Sequence, residues 1–192
     1  MTTLLYTHPR CLEHDAGFGH PECPARLTAI LNALKTASFV TLEWREAPEA
    51  SLEQLTRIHS LKHVERIFAR VPRHGHYAID GDTIISPQSG EAALRAAGAV
   101  CAAVDAVLKS EANNAFCAIR PPGHHAEPHQ AMGFCLFNNA AIGAAHARVV
   151  HGLERIAVID FDVHHGNGTQ AAFETEQGYL YISTHQAYIY PG

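Results

Sequence analysis

The chain has no Cys-x-x-Cys pair, no basic block, no apolar run long enough to span a bilayer, and no internal repeat, linker or low-complexity segment. Each absence narrows the field. The five cysteines, Cys11, Cys23, Cys101, Cys117 and Cys135, are odd in number. They read as free, mostly buried thiols in a reducing compartment rather than as a disulfide framework. Basic residues are scattered and the formal net charge is −5, which argues against a nucleic-acid partner. The most apolar stretch, Ala92 to Leu108, is interrupted by Arg95 and Asp105, so no membrane span is expected. Residues 1–8 lack a basic region followed by an apolar core. No secretory leader is therefore expected, and a cytoplasmic location is the default.

What is present fits one globular domain over residues 1–192. Hydrophobic residues make up 47% and charged residues 17%, an ordinary balance for a chain with a sizeable core. Fifteen histidines are many for this length. Histidine titrates near neutral pH and is the commonest metal ligand, so the excess points to chemistry.

Thr3–Tyr6 reads as a first strand, followed by a long loop ending at Pro24. From Ala25, the residues Leu27, Ile30, Leu31 and Leu34 fall at helical spacing. Ser51-Leu-Glu-Gln54 reads as a capping box. Ser60 caps a further helix through Ala69, with Val64, Ile67 and Phe68 expected inward, and residues 80–87 read as loop. An Ala-rich helix follows from about Gly90 to Lys109. Strands at 115–119, 155–161 and 179–183 then alternate with helices at 139–150 and 169–175, and residues 120–137 form a long loop. This alternation predicts a parallel sheet covered by helices on both faces, with the site at the strand carboxyl ends. No helix follows the last strand, so the sheet reads as unfinished at the carboxyl end, with exposed edges that favour a homo-oligomer.

Two motifs carry the chemistry. Asp160-Phe-Asp-Val-His-His-Gly-Asn-Gly-Thr169 follows the apolar run Ile156–Ile159, which reads as a buried strand. Residues two apart on an extended chain share a side, so Asp162 and His164 are expected to reach one ion, with Asp160 in the same row. Gly166 and Gly168 are expected to let the backbone turn sharply into the next helix. Arg120-Pro-Pro-Gly-His-His-Ala126 sits after the preceding strand, on the same sheet edge. Adjacent histidines there suit a proton-transfer pair, with Asp160 and Asn167 available as tautomer-setting partners. In Gly133-Phe-Cys-Leu-Phe-Asn-Asn139, Gly133 permits close approach of a ligand. Phe134 is either a channel wall or, like Phe137, core, and Cys135 reads as a buried thiol. Together these parts point to metal-assisted hydrolysis.

Read together, the motifs resemble the zinc-dependent histone deacetylase superfamily, which includes acetylpolyamine amidohydrolases and acetoin-utilisation proteins. His20-Pro-Glu-Cys-Pro-Ala-Arg-Leu27, Asp82-Thr83 and Tyr181-Ile-Ser-Thr-His185 extend the match in family order, and Asn167 resembles the class II branch. The fold implied is the arginase/deacetylase α/β/α sandwich with a mainly parallel sheet. The resemblance implies Asp162 and His164 as zinc ligands and His124 and His125 as catalytic histidines backed by Asp160 and Asn167. It implies Gly133, Phe134 and Tyr190 as walls of an acyl-lysine tunnel and Asp82 as a rim residue. A structural potassium would take the Asp160 side chain, the carbonyls of Asp162 and His164, and oxygens of Ser183 and Thr184. The family's second zinc Asp and its transition-state Tyr belong to later segments, so the chain resembles the amino-terminal part of a longer enzyme and is expected to be weak or inactive alone. The substrate implied is acetylated lysine in a protein, with an acetylpolyamine as alternative. For a polyamine enzyme, Glu13, Asp15, Glu22 and Asp82 are candidate acidic rim residues. A non-catalytic binding module and an arginase-type dimanganese hydrolase are the readings from other classes. His59 and His63 read as surface residues.

Overall fold

The computed structural model describes residues 1–192. Strands β1 (Thr3–Thr7), β2 (Leu42–Glu46) and β5 (Asn114–Cys117) form a parallel sheet in the order β2-β1-β5. Strands β6 (Ile156–Asp160) and β7 (Tyr179–Ser183) form a second parallel pair, with Asp160 opposite Ser183. A short antiparallel ladder joins β3 (Tyr77–Ala78) to β4 (Ile84–Ile85). The parallel strands and crossover helices make an α/β fold, as expected from the alternation, and it is of the arginase/deacetylase-like kind that the resemblance implied.

The helices follow local rules. α2 (Pro24–Leu34) starts with proline, whose missing N–H costs nothing there. Ser51 and Gln54 close a reciprocal capping box on α3 (Leu52–Thr56), and Ser60 caps α4 (Leu61–Arg70). α5 (Ser89–Leu108) buries Ala92, Ala93, Ala96, Ala97 and Ala99, small side chains that allow close approach to its neighbours. α6 (Asn139–His151) is capped by Asn138 and stops at Gly152 in the left-handed region. α7 (Asn167–Phe173) leads from β6 to β7. The largest core cluster packs Leu55, Val64, Ile67, Ile85, Leu136, Phe137 and Ile142 together. Each such side chain contributes about 1.5–3 kcal/mol on burial.

Several expectations change. The stretch 7–24 holds a short helix, α1 (Arg10–Glu13), and residues 80–87 contain β4. β2 was not expected, because Leu42-Glu-Trp-Arg-Glu46 alternates weakly at a sheet edge. Phe68 is not inward: it is 37% exposed. His59 and His63 are not surface residues, being 1% exposed each. The strand delivering Asp160 is not buried either, since Ile159 is 65% exposed. The two parallel sheets are not hydrogen-bonded to each other. A groove of about 520 Å³, lined by Cys117, Ile119, Val158, Ile159 and Phe161, lies between β5 and β6.

Candidate active site

The tandem histidines leave β5 on a loop held from behind. Arg120 is buried and donates to both oxygens of buried Glu22, at 2.5 Å each, and to the Cys11 carbonyl at 2.8 Å. His14 reaches the same carboxylate at 3.3 Å. Burial works against the Glu22 charge, but hydrogen bonds from His14 and Arg120 prevail and hold its pKa down at about 2. Glu22 is therefore an anchor and not a rim residue. Further along, the His59 ring accepts from the Asn138 N–H at 2.8 Å and donates to the Glu127 carbonyl at 3.0 Å. Burial and the neighbouring His63 lower the His59 pKa to about 3, so it serves as a neutral bridge.

The two rings lie 4.0 Å apart between centroids. His124 Nδ1 is 2.9 Å from Asp160 Oδ2, which also accepts from the Tyr181 hydroxyl at 2.9 Å. His125 Nδ1 is 2.9 Å from Asn167 Oδ1. Burial, then the charge of His124, lower the His125 pKa to about 4, so this ring is neutral near pH 7. Burial opposes the Asp160 charge, but the His124 hydrogen bond prevails and its pKa lies below the usual range. Gly133 makes room for the His125 ring, because a Cβ there would overlap it.

Asp162 and His164 converge, but not as neighbours on an extended strand. β6 ends at Asp160. Asp160 Oδ1 accepts from the Asp162 N–H at 3.2 Å, and Asp162 Oδ1 accepts from the His164 N–H at 2.8 Å. Two successive Asx-type turns thus fold the segment back. They leave His164 Nδ1 3.0 Å from Asp162 Oδ1. Gly166 and Gly168 do not supply a positive φ. They supply space: a Cβ at Gly166 would strike the Asp160 carboxylate and the Tyr181 hydroxyl.

His124, His125, Asp162 and His164 border one cavity of about 240 Å³, lined also by Arg26, Asp82, Gly133, Phe134 and Tyr190. Tyr190 meets the His125 ring edge-on at 4.9 Å. Phe134 lines this cavity and Phe137 is core. Phe134 is held at φ 69° by its N–H bond to Thr83 Oγ1, and His20 braces it edge-on at 4.8 Å while also bonding the Asp82 carbonyl. Burial, then the adjacent Asp80 charge, raise the Asp82 pKa. Ser183 and Thr184 follow Asp160 in register, but Ser183 Oγ bonds His185 Nδ1 at 2.8 Å and the Thr184 N–H bonds the Asp160 carbonyl. Burial raises the Cys135 thiol pKa, as expected for an inert thiol.

The Histone deacetylase domain model matches residues 20–192. The chain belongs to the histone deacetylase family. The histone deacetylase-like amidohydrolase of Pseudomonas aeruginosa is 44% identical over 181 residues, covering 94% of this chain and 47% of that protein. The human polyamine deacetylase HDAC10 is 41% identical over 191 residues, covering 96% of this chain and 27% of its own length. A crystal structure of the HDA15 HD domain superposes with a TM-score of 0.94 at 35% identity, covering all of this chain and 56% of that one. The chain thus spans about half the length of the Pseudomonas relative and of the solved domain.

Sequence reasoning missed Arg26, Tyr181 and Glu127 as parts of this family site. Tyr181 was recoverable from alternation along β7, which puts it on the Asp160 side. A second gathering, Asp105 with His146 and His151, was also missed. Asp105 Oδ1 lies 2.7 and 2.6 Å from the two Nε2 atoms. Arg57 donates to His146 Nδ1 at 2.7 Å. That donor requires a lone pair on Nδ1, so the proton sits on Nε2 and points at Asp105. The cluster is a satisfied hydrogen-bond network on α5 and α6, and a cation would have to displace that proton.

Proposed function

We propose that this chain carries the proton-transfer pair and two metal donors of a zinc-dependent amidohydrolase that removes an acetyl or related acyl group from lysine side chains of proteins. The observation that carries this reading is the convergence of His124, His125, Asp162 and His164 on one cavity, each tandem histidine with its Nδ1 already partnered. The carboxylate and the imidazole nitrogen of Asp162 and His164, 3.0 Å apart, fit two ligands of one zinc. Zinc, when bound there, would polarise the acyl carbonyl and acidify a water. His125, neutral, takes a proton from that water through Nε2. His124, held through Nδ1 by the Asp160 carboxylate, gives a proton to the departing amine nitrogen. The acyl carbon gains the water oxygen, the C–N bond breaks, and the products are a carboxylate and a free amine. Phe134 and Tyr190 wall the acyl-lysine tunnel, and Asp82 grips the substrate at its rim.

A potassium site on Asp160, Ser183 and Thr184 belongs to the same proposal, supported by register pairing and by oxygen-only donors that suit a hard cation. A reducing compartment, the cytoplasm first, suits the five free thiols. No helix is long and apolar enough to cross a membrane. An acetylpolyamine is the rival substrate, supported by the likeness to a polyamine deacetylase. Of the acidic rim candidates, Glu22 is buried and Asp15 is bonded to His76, which leaves the protein substrate favoured.

The test is zinc content and hydrolysis, measured together on an acetyl-lysine peptide and on acetylputrescine. Only two zinc donors converge here, where catalytic zinc sites use three protein ligands. The 192-residue chain is therefore expected to bind zinc weakly and to turn over slowly at best. Whatever turnover there is should favour the peptide and fall at least about 10²-fold in His125→Ala. Tight zinc binding with turnover that survives His125→Ala would sink the assignment.

A further inference from the structure

The two histidines have different kinds of partner, and the difference creates a requirement. An ionised carboxylate can only accept a hydrogen bond. Asp160 therefore fixes the His124 proton on Nδ1 whichever oxygen it presents. Asn167 is ambivalent, because a side-chain amide offers an acceptor at one end and a donor at the other. Turned by 180°, it would present its NH2 to His125. The neutral ring would then keep its proton on Nε2, facing the cavity, and would have no lone pair there.

Something must therefore choose the amide's orientation, and the structure holds one group that does. Asn167 Nδ2 donates to Glu127 Oε1 at 2.8 Å, while Oδ1 faces His125 Nδ1 at 2.9 Å. A carboxylate cannot face an amide oxygen favourably, so the NH2 end belongs to Glu127 and the carbonyl end to His125. Met132 Sδ, a weak acceptor 3.3 Å from the same Nδ2, agrees with that orientation. Glu127 is itself fixed. Its N–H and carbonyl pair with Gln130 across an isolated bridge, and its carbonyl also accepts from the buried His59 ring.

We propose that Glu127 is a positioning residue that acts through Asn167 to hold His125 in the Nδ1–H form, leaving Nε2 free to take the proton. The inference rests on the reading of His125 as the base. Its test needs neither zinc nor turnover, so the two can fail separately.

The experiment is long-range proton–nitrogen NMR at pH 7.5 on the 192-residue chain labelled with ¹⁵N-histidine, with His125 assigned by difference from His125→Phe. In the unaltered chain His125 should show a protonated Nδ1 and an unprotonated Nε2. In Glu127→Ala, and to a smaller extent in Glu127→Gln, a second set of His125 signals with the proton on Nε2 should appear. The His124 signals, set by Asp160, should not change, which confirms that the site stays folded. Asn167→Asp placed on Glu127→Ala should restore the single Nδ1–H form, because a carboxylate needs no orienting partner. A merely structural Glu127 would not be rescued in this way. A single Nδ1–H form of His125 in both Glu127 variants, with His124 unchanged, would overturn the proposal.

Discussion

The loop from Arg120 to Asn138 and the segment from Asp160 to Tyr190 face each other across one cavity, yet they are held very differently. Nearly every polar group supporting the first is buried and paired: Arg120 with Glu22, His59 with Glu127 and Asn138, and His63 with the Leu136 carbonyl. The second rests on β6 and β7, whose Ile159 and Leu180 are 65% and 56% exposed, and Phe161, just past the end of β6, is 87% exposed. The proposed proton-transfer pair thus sits on the rigid side and the proposed metal donors on the open side. The two rings are held in place by the buried loop, while their Nδ1 partners, the half-buried Asp160 and Asn167, come from the other segment. The metal donors are fixed mainly by local Asx-type turns, which need no core beneath them.

The largest expected effect lies on the rigid side. Arg120→Ala leaves the Glu22 carboxylate buried without its main partner and should cost about 3–5 kcal/mol in denaturant unfolding. A loss under about 1 kcal/mol would mean that the anchor is not what holds the loop.

Acid should act on the same side. The Glu22 pKa is depressed from 4.5 to about 2 in the folded chain. Its contribution, on the order of 3 kcal/mol, is complete above pH 4.5 and is lost as pH falls toward 2. His59, depressed from 6.5 to about 3, acts in the same direction, because once unfolded its ring takes up a proton that burial disfavours in the folded chain. Stability should therefore decline progressively below pH 6.5 and more steeply below 4.5. Glu22→Gln should flatten the steeper part, and an unaltered acid profile in that variant would move the origin elsewhere.

The smallest effect is expected on the open side. Phe161→Ser should change stability by no more than about 0.5 kcal/mol. It should also reduce self-association, because unpaired strand edges flanked by exposed apolar side chains favour pairing with a second copy. Sedimentation velocity checks this. A chain that is monomeric at every concentration, before and after the change, would rule out the homo-oligomer expected from the exposed edges.

How much was legible beforehand follows the same division. The strand–helix alternation, the capping box at Ser51 and the cap at Ser60 were readable, because residue types and short spacings encode them, whereas the backing of the tandem histidines by Asp160 and Asn167 was readable only through the family resemblance. β2 was not, since a polar edge strand such as Leu42–Glu46 gains its identity from pairing with β1. The burial of His59 and His63 was not readable either. Histidine has no fixed side of the surface, and both rings are buried because the loop 127–138 closes over them.

The sequence alone determined most of the element types, the two histidine-bearing motifs and their order, and through them the family, since local propensity and ligand type depend on neighbours within a few residues. The tertiary structure decided which groups are buried, how the Asp162–His164 turn closes, and which nitrogen of His125 carries the proton. Asn167 meets His125 and Glu127 across separations of 42 and 40 residues. Hydrogen-bond direction across such distances is set by how the elements pack, and no local spacing records it.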